Sequence, residues 1–192
     1  MRKRFDFYPT TKAATKALFI HHSFASATAW EPCHGAGDIT QVLKEHFQGV
    51  TTSDADHSRE VDLFADAGCL DVPLLTAVIT NPPFNQAYRI VSHFADRGNE
   101  CAFLLRLTFL EPTGERGAWL EKNPPAKVIV LPRFSFTGDG KTDSTTCAWL
   151  LWNVPPKPVI IVGKELFKSL EPITKEEKIR RAKTKQLSLK LK

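Results

Sequence analysis

The stretch SATAWEPCHGAGDITQVL, residues 26–43, decides the fold class of this chain. Its small and apolar first residues predict a strand ending near Trp30, and the apolar spacing of residues 39–43 predicts a helix. Gly35 and Gly37 lie between them, where they let the backbone approach a ligand closely. A strand, a glycine loop and a helix in this order are typical of open α/β sheets, which bind cofactors at the carboxyl ends of their strands.

The glycine loop differs from a dinucleotide-binding loop in two respects. The third glycine of that fingerprint is missing, and the acidic residue Glu31 stands directly before the loop. A carboxylate at this place suits a cationic ligand, such as the ammonium group of methionine, better than a pyrophosphate. The alternative interpretation is an ordinary turn between a strand and a helix.

Further acidic residues follow the next strand. Val50-Thr51-Thr52-Ser53 predicts a strand that ends at Asp54, where folds of this type place an acid on ribose hydroxyls. Asp56 competes for the role, and either residue could cap a helix, but Asp54 directly follows the strand. Asp62-Leu63-Phe64 predicts an acid that bonds an adenine amino group and apolar neighbours that pack its ring, with an amphipathic helical turn as the alternative.

The apolar run Ala77-Val78-Ile79-Thr80 leads into Asn81-Pro82-Pro83-Phe84. Proline has no backbone N–H, so the carbonyls of this loop can only accept hydrogen bonds. The Asn81 side-chain oxygen and the Pro82 carbonyl can take both protons of one exocyclic amine, while Phe84 stacks on its ring. Two acceptors that pull the nitrogen toward a tetrahedral shape free its lone pair for attack on a methyl donor. A turn that simply ends the strand is the alternative.

Together these segments resemble the S-adenosylmethionine-dependent amino-methyltransferases, in particular small bacterial or phage enzymes that methylate N6 of adenine in DNA. The resemblance begins at Asp6-Phe7-Tyr8-Pro9-Thr10-Thr11, which looks like the family's amino-terminal cofactor motif, and extends to about Trp152. It also covers residues 31–37, 54, 62–64, 81–84, 103–111, 133–136 and 143–152. A cofactor motif that precedes the catalytic motif is the order of the family's gamma group.

The resemblance implies a fold, a cofactor and a set of site residues. The implied fold is α/β, a Rossmann-like class I methyltransferase fold with a mostly parallel sheet and helices on both faces. The implied cofactor is S-adenosylmethionine. The implied catalytic residues are Asn81, Pro82, Pro83 and Phe84. The implied cofactor-binding residues are Tyr8, Pro9, Thr10, Glu31, Pro32, Cys33, Gly35, Gly37, Asp54, Asp62, Leu63 and Asn81. The acceptor base would stack between Phe84 and Phe136, for which Phe134 is the alternative.

The hydrophobic pattern places the elements along the chain. It predicts helices at residues 11–22, 39–47, 85–95 and 115–122, and strands at 26–30, 49–53, 77–80, 100–106, 126–131 and 147–152. This alternation favours a parallel sheet covered on both faces. Little room is left for a third strand, for which 69–75 is the candidate, and 159–162 is a candidate edge strand. We expect one methyltransferase domain over residues 1–162 and a basic tail over 163–192.

Composition narrows the class of protein. At 192 residues and 42% hydrophobic, the chain can form one domain with a full core. It has no apolar run long enough to span a bilayer, and no hydrophobic signal region follows Met1-Arg2-Lys3-Arg4, so we expect a cytoplasmic protein. The cysteines form no CxxC pair and the histidines have no chelating spacing, so we expect reduced thiols and no metal.

The net charge of +5 comes entirely from residues 171–192, which hold eight Lys or Arg against three Glu. A neutral body with a basic arm predicts weak, salt-sensitive and sequence-indifferent attachment to nucleic acid, although a solubility tail would have the same composition. Arg106, Arg116 and Lys141 are candidates for phosphate contacts, with ordinary surface charge as the alternative.

The substrate is the least constrained prediction. The chain leaves no room for a separate target-recognition segment. Three alternatives follow: the loops at 109–122 and 134–144 recognise a very short site, the enzyme is nearly indiscriminate, or a partner chain supplies specificity. DNA is the expected partner because residues 133–152 resemble the DNA group. Enzymes that methylate ribosomal RNA bases or release-factor glutamine share the tetrapeptide, so RNA or protein is the first alternative. A non-catalytic scaffold is the second, and we expect a monomer or weak homodimer with no membrane partner.

Overall fold

The computed structural model describes residues 10–134, 145–157 and 159–170. Its strands are β1 Thr28–Glu31, β2 Gly49–Asp54, β3 Leu63–Phe64, β4 Thr76–Thr80, β5 Cys101–Arg106, β6 Lys127–Val130, β7 Cys147–Trp152 and β8 Ile160–Ile161. Its α-helices are α1 Lys12–His21, α2 Asp38–Leu43, α3 Ala87–Asp96, α4 Gly114–Lys122 and α5 Lys164–Ser169. Short 3-10 turns lie at Ala67–Cys69 and Leu107–Leu110.

The strands form one sheet in the order β3-β2-β1-β4-β5-β7-β6-β8. Strands β1 to β5 pair in parallel, β7 runs antiparallel to both β5 and β6, and β8 is parallel to β6. The strand order reverses between β1 and β4, which opens a crevice at the carboxyl ends of these two strands. The predicted mostly parallel α/β sheet is therefore confirmed, and the crevice is the place where such sheets bind ligands.

The core lies on both faces of the sheet because alternate residues of each strand point to opposite sides. In β5, Leu104 packs into the cluster that contains Leu18 of α1 and Leu43 of α2. Its neighbour Phe103 packs into the other cluster, with Phe94 of α3. Both faces are apolar, so the central strands read as nearly continuous hydrophobic runs, as the sequence predicted.

The third strand is not where the sequence placed it. The candidate at residues 69–75 is wrong: this segment follows a 3-10 turn that Asp66 caps through the Gly68 N–H. The strand is instead Leu63–Phe64, which pairs with Ser53 and Asp54. The adjacent side chain of Asp62 accepts hydrogen bonds from the Thr52 N–H and hydroxyl, and these side-chain bonds pin the short strand to β2.

Packing continues beyond the predicted domain boundary at residue 162. Phe167 of α5 stacks on Phe134, with ring centroids 5.6 Å apart, and Leu170 also packs against the core. Residues 163–170 of the predicted tail therefore lie on the domain. The rest of that tail, together with Phe136 and Lys141, lies outside the described residues.

The described residues were expected to hold neither a membrane span nor a metal site. Among the helices of the described ranges, none is both long and apolar enough to cross a membrane. Within the same ranges, no three His, Cys, Asp or Glu side chains are grouped so that they could hold a metal ion. The four cysteines form no disulfide, and two of them, Cys101 in β5 and Cys147 in β7, are buried.

Candidate active site

A cleft lies at the crevice where the strand order reverses. The predicted site residues that line it are Thr10, Glu31, Pro32, Cys33, Gly35, Asp54, Asn81, Pro82 and Pro83. Those described but placed outside its lining are Gly37, Asp62, Leu63 and Phe84. Tyr8, Pro9 and Phe136 lie outside the described residues. The fold therefore brings together the ends of β1, β2 and β4, as expected for parallel strands whose carboxyl ends share one edge.

Glu31 ends β1 as a buried carboxyl group that is only 1% exposed. Its Oε2 accepts a hydrogen bond from the Thr40 hydroxyl and lies 3.4 Å from Nδ1 of His34. Burial raises the pKa of Glu31, although the bonds to His34 and Thr40 oppose the shift. Its Oε1 is also buried and has no hydrogen-bond partner among the described residues. A buried carboxyl oxygen at the wall of a cleft, with no hydrogen bond from the described residues, suits a ligand that brings a donor or a positive charge.

The glycine loop is anchored to the end of β2. The Gly35 N–H donates to Oδ2 of Asp54 at 2.8 Å, and the His34 N–H donates to the Ser53 carbonyl at 3.0 Å. Gly37 has a left-handed φ of 79° and precedes α2. A Cβ on Gly37 would lie 3.0 Å from the His34 ring, so this glycine makes room for the histidine and faces away from the cleft.

Two acids reach the cleft from the end of the second strand: Asp54 is its last residue, and Asp56 lies two residues beyond it. Asp54 accepts from the N–H groups of Gly35 and Asp56, each at 2.8 Å, one on each carboxylate oxygen. Each oxygen of a carboxylate can accept a second bond, so Asp54 retains capacity for hydroxyl donors. Asp56 instead holds its own turn, through Ser58 and an ion pair with Arg59 at 3.2 Å. The bonds to Ser58 lower the pKa of Asp56.

Asp62, the acid predicted to bond an adenine amino group, does not line the cleft. The Asp62 carboxylate accepts two hydrogen bonds from Thr52, each 2.7 Å long, and the Asp62 N–H donates a third to the Thr52 hydroxyl at 3.1 Å. These bonds hold the carboxylate on the far side of the glycine loop. Asp66 reaches the cleft instead, where Arg89 donates to its Oδ1 at 2.6 Å and holds its pKa below the usual range. The feature of the sequence that could have pointed to Asp66 is its position, because Asp66 follows the third strand whereas Asp62 precedes it. A two-residue strand has no periodicity from which its end could be read.

The loop after β4 carries the amine-binding groups. The side-chain NH₂ of Asn81 donates to the Thr10 hydroxyl at 3.1 Å. In this orientation of the amide, the side-chain oxygen Oδ1 is its acceptor end. Pro82 and Pro83 line the cleft beside it, and neither has an N–H that could compete for an acceptor. This part of the cleft is therefore lined by an amide and by proline residues whose backbone can only accept hydrogen bonds.

Phe84, the last residue of this tetrapeptide, lies outside the lining of the cleft. The Arg106 guanidinium carbon is 4.2 Å from the centroid of the Phe84 ring. Arg116, the other described candidate for a phosphate contact, is held by the fold. Its Nη2 donates to the Glu111 carbonyl at 3.1 Å and to the Thr113 hydroxyl at 2.9 Å.

The contact between His34 and Glu31 predicts a pH-dependent stability. The hydrogen bond to Glu31 raises the pKa of His34 above its ordinary value. A histidine shifted in this direction stabilises the fold fully below about pH 6.5, and its contribution is lost as the pH rises through the raised pKa. Between pH 6 and 9 we expect the thermal midpoint of the wild type to fall more than that of His34→Gln. The difference between the two falls should be a few degrees at most. Thermal melts across this range, with the exposed His57→Gln as control, check this; parallel curves for wild type and His34→Gln would contradict it.

Comparison with known proteins identifies the fold. No family profile and no curated protein matches the sequence. The 23S rRNA methyltransferase ErmE has a TM-score of 0.55 at 15% identity, with 83% of this chain and 74% of that chain covered. A type I restriction-modification methyltransferase subunit from Streptococcus thermophilus gives 0.56 at 17%, covering 90% and 55%. A dimethyladenosine transferase from Plasmodium falciparum gives 0.53 at 15%, covering 76% and 63%.

This chain thus spans only about half the length of the restriction-modification subunit. At these identities the likeness establishes the fold alone. The predicted α/β fold, the Rossmann-like fold of class I methyltransferases, is confirmed.

Proposed function

We propose that this chain is a methyltransferase that transfers a methyl group from S-adenosylmethionine to the N6 amino group of adenine in DNA, with short or little sequence specificity. The observation that carries the proposal is the cleft in which Glu31, Asp54 and the Asn81-Pro82 pair meet. These groups lie at the ends of three adjacent strands, in the fold shared with known methyltransferases.

The acceptors along the cleft suit the polar groups of the cofactor. The buried and partly unpartnered carboxyl of Glu31 suits the ammonium of its methionine part. Asp54, with remaining lone pairs at the end of β2, suits ribose hydroxyls. Asp66, beside the apolar Ala67, suits an adenine amino group. Asn81 and Pro82 then stand where a second amine would approach.

The chain's own part in the reaction is alignment and electrostatic stabilisation. When bound, S-adenosylmethionine supplies an electrophilic sulfonium methyl group. Asn81 Oδ1 and the Pro82 carbonyl accept the two protons of the target amine, which turns its lone pair toward that methyl group. These bonds strengthen as the nitrogen becomes positive, so they act mainly in the transition state. The product amine loses its proton readily, and no strong general base is required.

The target base has to leave its stack to reach this loop. Extrusion of a nucleotide costs a few kcal/mol and is least costly for single-stranded or mismatched DNA. Stacking on an aromatic ring such as Phe84 and the two amine contacts offset that cost. We therefore expect methylation of single-stranded or easily opened sites to be faster than that of stable duplex.

Adenine in RNA is the second candidate substrate. Two of the similar structures are an rRNA methyltransferase and a dimethyladenosine transferase, which favours it. DNA remains the first choice because the resemblance of residues 133–152 is to the DNA enzymes. The acceptor loop would bind the same amine in either polymer.

Nucleoside mass spectrometry tests the proposal. We expect N6-methyladenine in the DNA of a host that lacks adenine methylation of its own, when it expresses the wild-type chain. The modification should be missing with Asn81→Ala expressed at the same level. Methylated RNA without methylated DNA would move the assignment to the second candidate, and modification of neither polymer would refute both.

Binding of the cofactor separates an enzyme from a non-catalytic scaffold. A ligand at one hundred times its dissociation constant stabilises the folded state by about 2.7 kcal/mol. For a chain of this size that corresponds to a rise in thermal midpoint of roughly 5–10 °C. We expect such a rise with saturating S-adenosylmethionine and little with methionine. No shift with the cofactor would favour the scaffold.

A further inference from the structure

The hydrogen-bond donors around the buried carboxyl group of Glu31 converge on one of its two oxygens. The Thr40 hydroxyl donates to Oε2, and Nδ1 of His34 lies 3.4 Å from the same atom. The other oxygen, Oε1, is buried and has no hydrogen-bond partner among the described residues. Glu31 lines the cleft. The carboxyl group is thus held on its protein side, and one oxygen is left to a ligand.

His34 acts on this carboxyl group through Thr40. Nδ1 of His34 lies 3.0 Å from the Thr40 hydroxyl oxygen. A hydroxyl has a single proton, and Thr40 donates its proton to Glu31, so the proton between His34 and Thr40 belongs to Nδ1. The three side chains therefore form a chain in which each group donates to the next. Hydrogen bonds in such a chain strengthen one another, and both favour the ionised carboxylate at its end.

The glycine loop holds the His34 ring in the position that this chain of bonds requires. The side chain is only 13% exposed, and the His34 N–H donates to the Ser53 carbonyl at 3.0 Å. A Cβ on Gly37 would lie 3.0 Å from Nε2 and 3.1 Å from Cε1 of the ring. The ring therefore fits between Gly37 and Thr40 only because residue 37 has no side chain.

We propose that His34 is a positioning residue for the cofactor: through Thr40 it holds Oε2 of Glu31, so that Oε1 is presented to the ammonium of the methionine part. This inference rests on the proposed function, since it requires that Glu31 binds this ammonium. Burial raises the pKa of Glu31, and the hydrogen bonds from His34 and Thr40 oppose the shift. Loss of the His34 N–H therefore favours the protonated carboxyl, which attracts an ammonium much less than a carboxylate does.

The test measures how strongly the site prefers a ligand that carries the amine. Isothermal titration calorimetry near neutral pH compares two ligands of the full chain: S-adenosylhomocysteine and its deaminated analogue, in which a hydrogen replaces the α-amino group. The ratio of the two dissociation constants is the amine preference. A variant that is partly unfolded binds both ligands less well by the same factor, so the ratio does not respond to stability. For the wild type we expect a preference of about 10²-fold, as for a charged hydrogen bond.

Two variants of His34 separate the N–H from the bulk of the side chain. His34→Leu removes the donor and should lower the amine preference about fivefold to tenfold, the effect of one lost hydrogen bond in a buried chain. His34→Asn is the matched variant, because the amide nitrogen of asparagine lies near the position of Nδ1 and can donate to Thr40. It should keep the preference within about threefold of the wild type. Thr40→Val, which removes the linking hydroxyl, should lower the preference at least as much as His34→Leu.

Three results would overturn the proposal. An unchanged preference in His34→Leu, even with weaker binding of both ligands, would mean that His34 only supports the fold of the glycine loop. A raised preference would mean that the ring acts as a competing positive charge, because the hydrogen bond to Glu31 and the nearby Asp54 and Asp62 raise the pKa of His34. An equal loss in His34→Leu and His34→Asn would mean that the N–H at Nδ1 is not the group that holds Glu31.

The amine preference is measured without methyl transfer, so this inference and the proposed reaction fail separately. A reduced preference in His34→Leu, in a chain that methylates neither DNA nor RNA, would keep the role of His34 and remove the reaction. Methylated DNA together with an unchanged preference would do the reverse. A wild type without any preference for the amine would overturn this inference together with the assignment of Glu31 to the ammonium.

Discussion

Replacing Asn81 with alanine is expected to abolish methyl transfer while the affinity for S-adenosylmethionine stays within a few fold of the wild-type value. Alanine removes the acceptor that polarises the target amine, a contact that strengthens as positive charge develops on the nitrogen. Loss of one such transition-state contact typically lowers kcat by roughly 10²–10³-fold. The affinity should change little because Glu31 and Asp54, which are proposed to hold the cofactor, are untouched.

Single-turnover methylation of single-stranded DNA and calorimetric titration with S-adenosylhomocysteine measure the two effects separately. Asn81→Asp is the matched variant, since it keeps an oxygen acceptor of the same shape and replaces the donor to Thr10 by a second, charged acceptor oxygen. It should retain more turnover than Asn81→Ala. Thermal melts establish that both variants are folded. Turnover by Asn81→Ala at a tenth of the wild-type rate or more would refute the catalytic assignment.

The second large effect is expected for Glu31→Gln, which should weaken cofactor binding by about 10²-fold or more. Removing one partner of a buried charge pair costs about 3–5 kcal/mol when the other charge stays buried. In the unliganded protein the same substitution is expected to be favourable for the stability of the fold. Burial raises the pKa of Glu31, so the ionised carboxylate costs stability as the pH rises above the ordinary range of a carboxyl group. Glutamine carries no charge, and the unliganded variant should melt no lower than the wild type at pH 7.5.

Differential scanning fluorimetry with and without S-adenosylhomocysteine measures both effects in one experiment: the thermal midpoint of the unliganded variant and its rise when the ligand binds. Asp62→Asn is the control, because Asp62 is an acid of the same region that the structure keeps outside the cleft. It should lower the thermal midpoint, since its bonds to Thr52 pin the third strand, and leave the cofactor-induced rise nearly unchanged. A full ligand-induced rise with Glu31→Gln would contradict the assignment of this carboxyl to the cofactor.

The local hydrophobic pattern was sufficient to predict the helices and strands that bury a continuous apolar face. The helix at α1, the central strands and the glycine loop lie within a few residues of their predicted positions. Their signals are strong because burial on both faces of a parallel sheet demands nearly unbroken hydrophobic runs. The location of the cleft followed as well, since the carboxyl ends of adjacent parallel strands share one edge.

The choice among neighbouring acids could not be read in the same way. Asp62 and Asp66 lie close together in a segment without periodicity, and a strand of two residues is defined by its partner β2 rather than by its own composition. Likewise, Gly37 resembles a ligand-binding glycine, and only the packed His34 ring shows that the missing side chain makes space within the loop.

By itself, the order of residues along the chain determined the fold class, the edge of the sheet that carries the cleft, and the side chains Glu31, Asp54 and Asn81 that line it. These depend on burial and on strand ends, which are local properties of a sequence. Only the tertiary structure showed that Asp66, and not Asp62, lines the cleft and that Arg106 lies over Phe84. Contacts of this kind join segments from different strands, and their formation depends on register and packing that no local pattern contains.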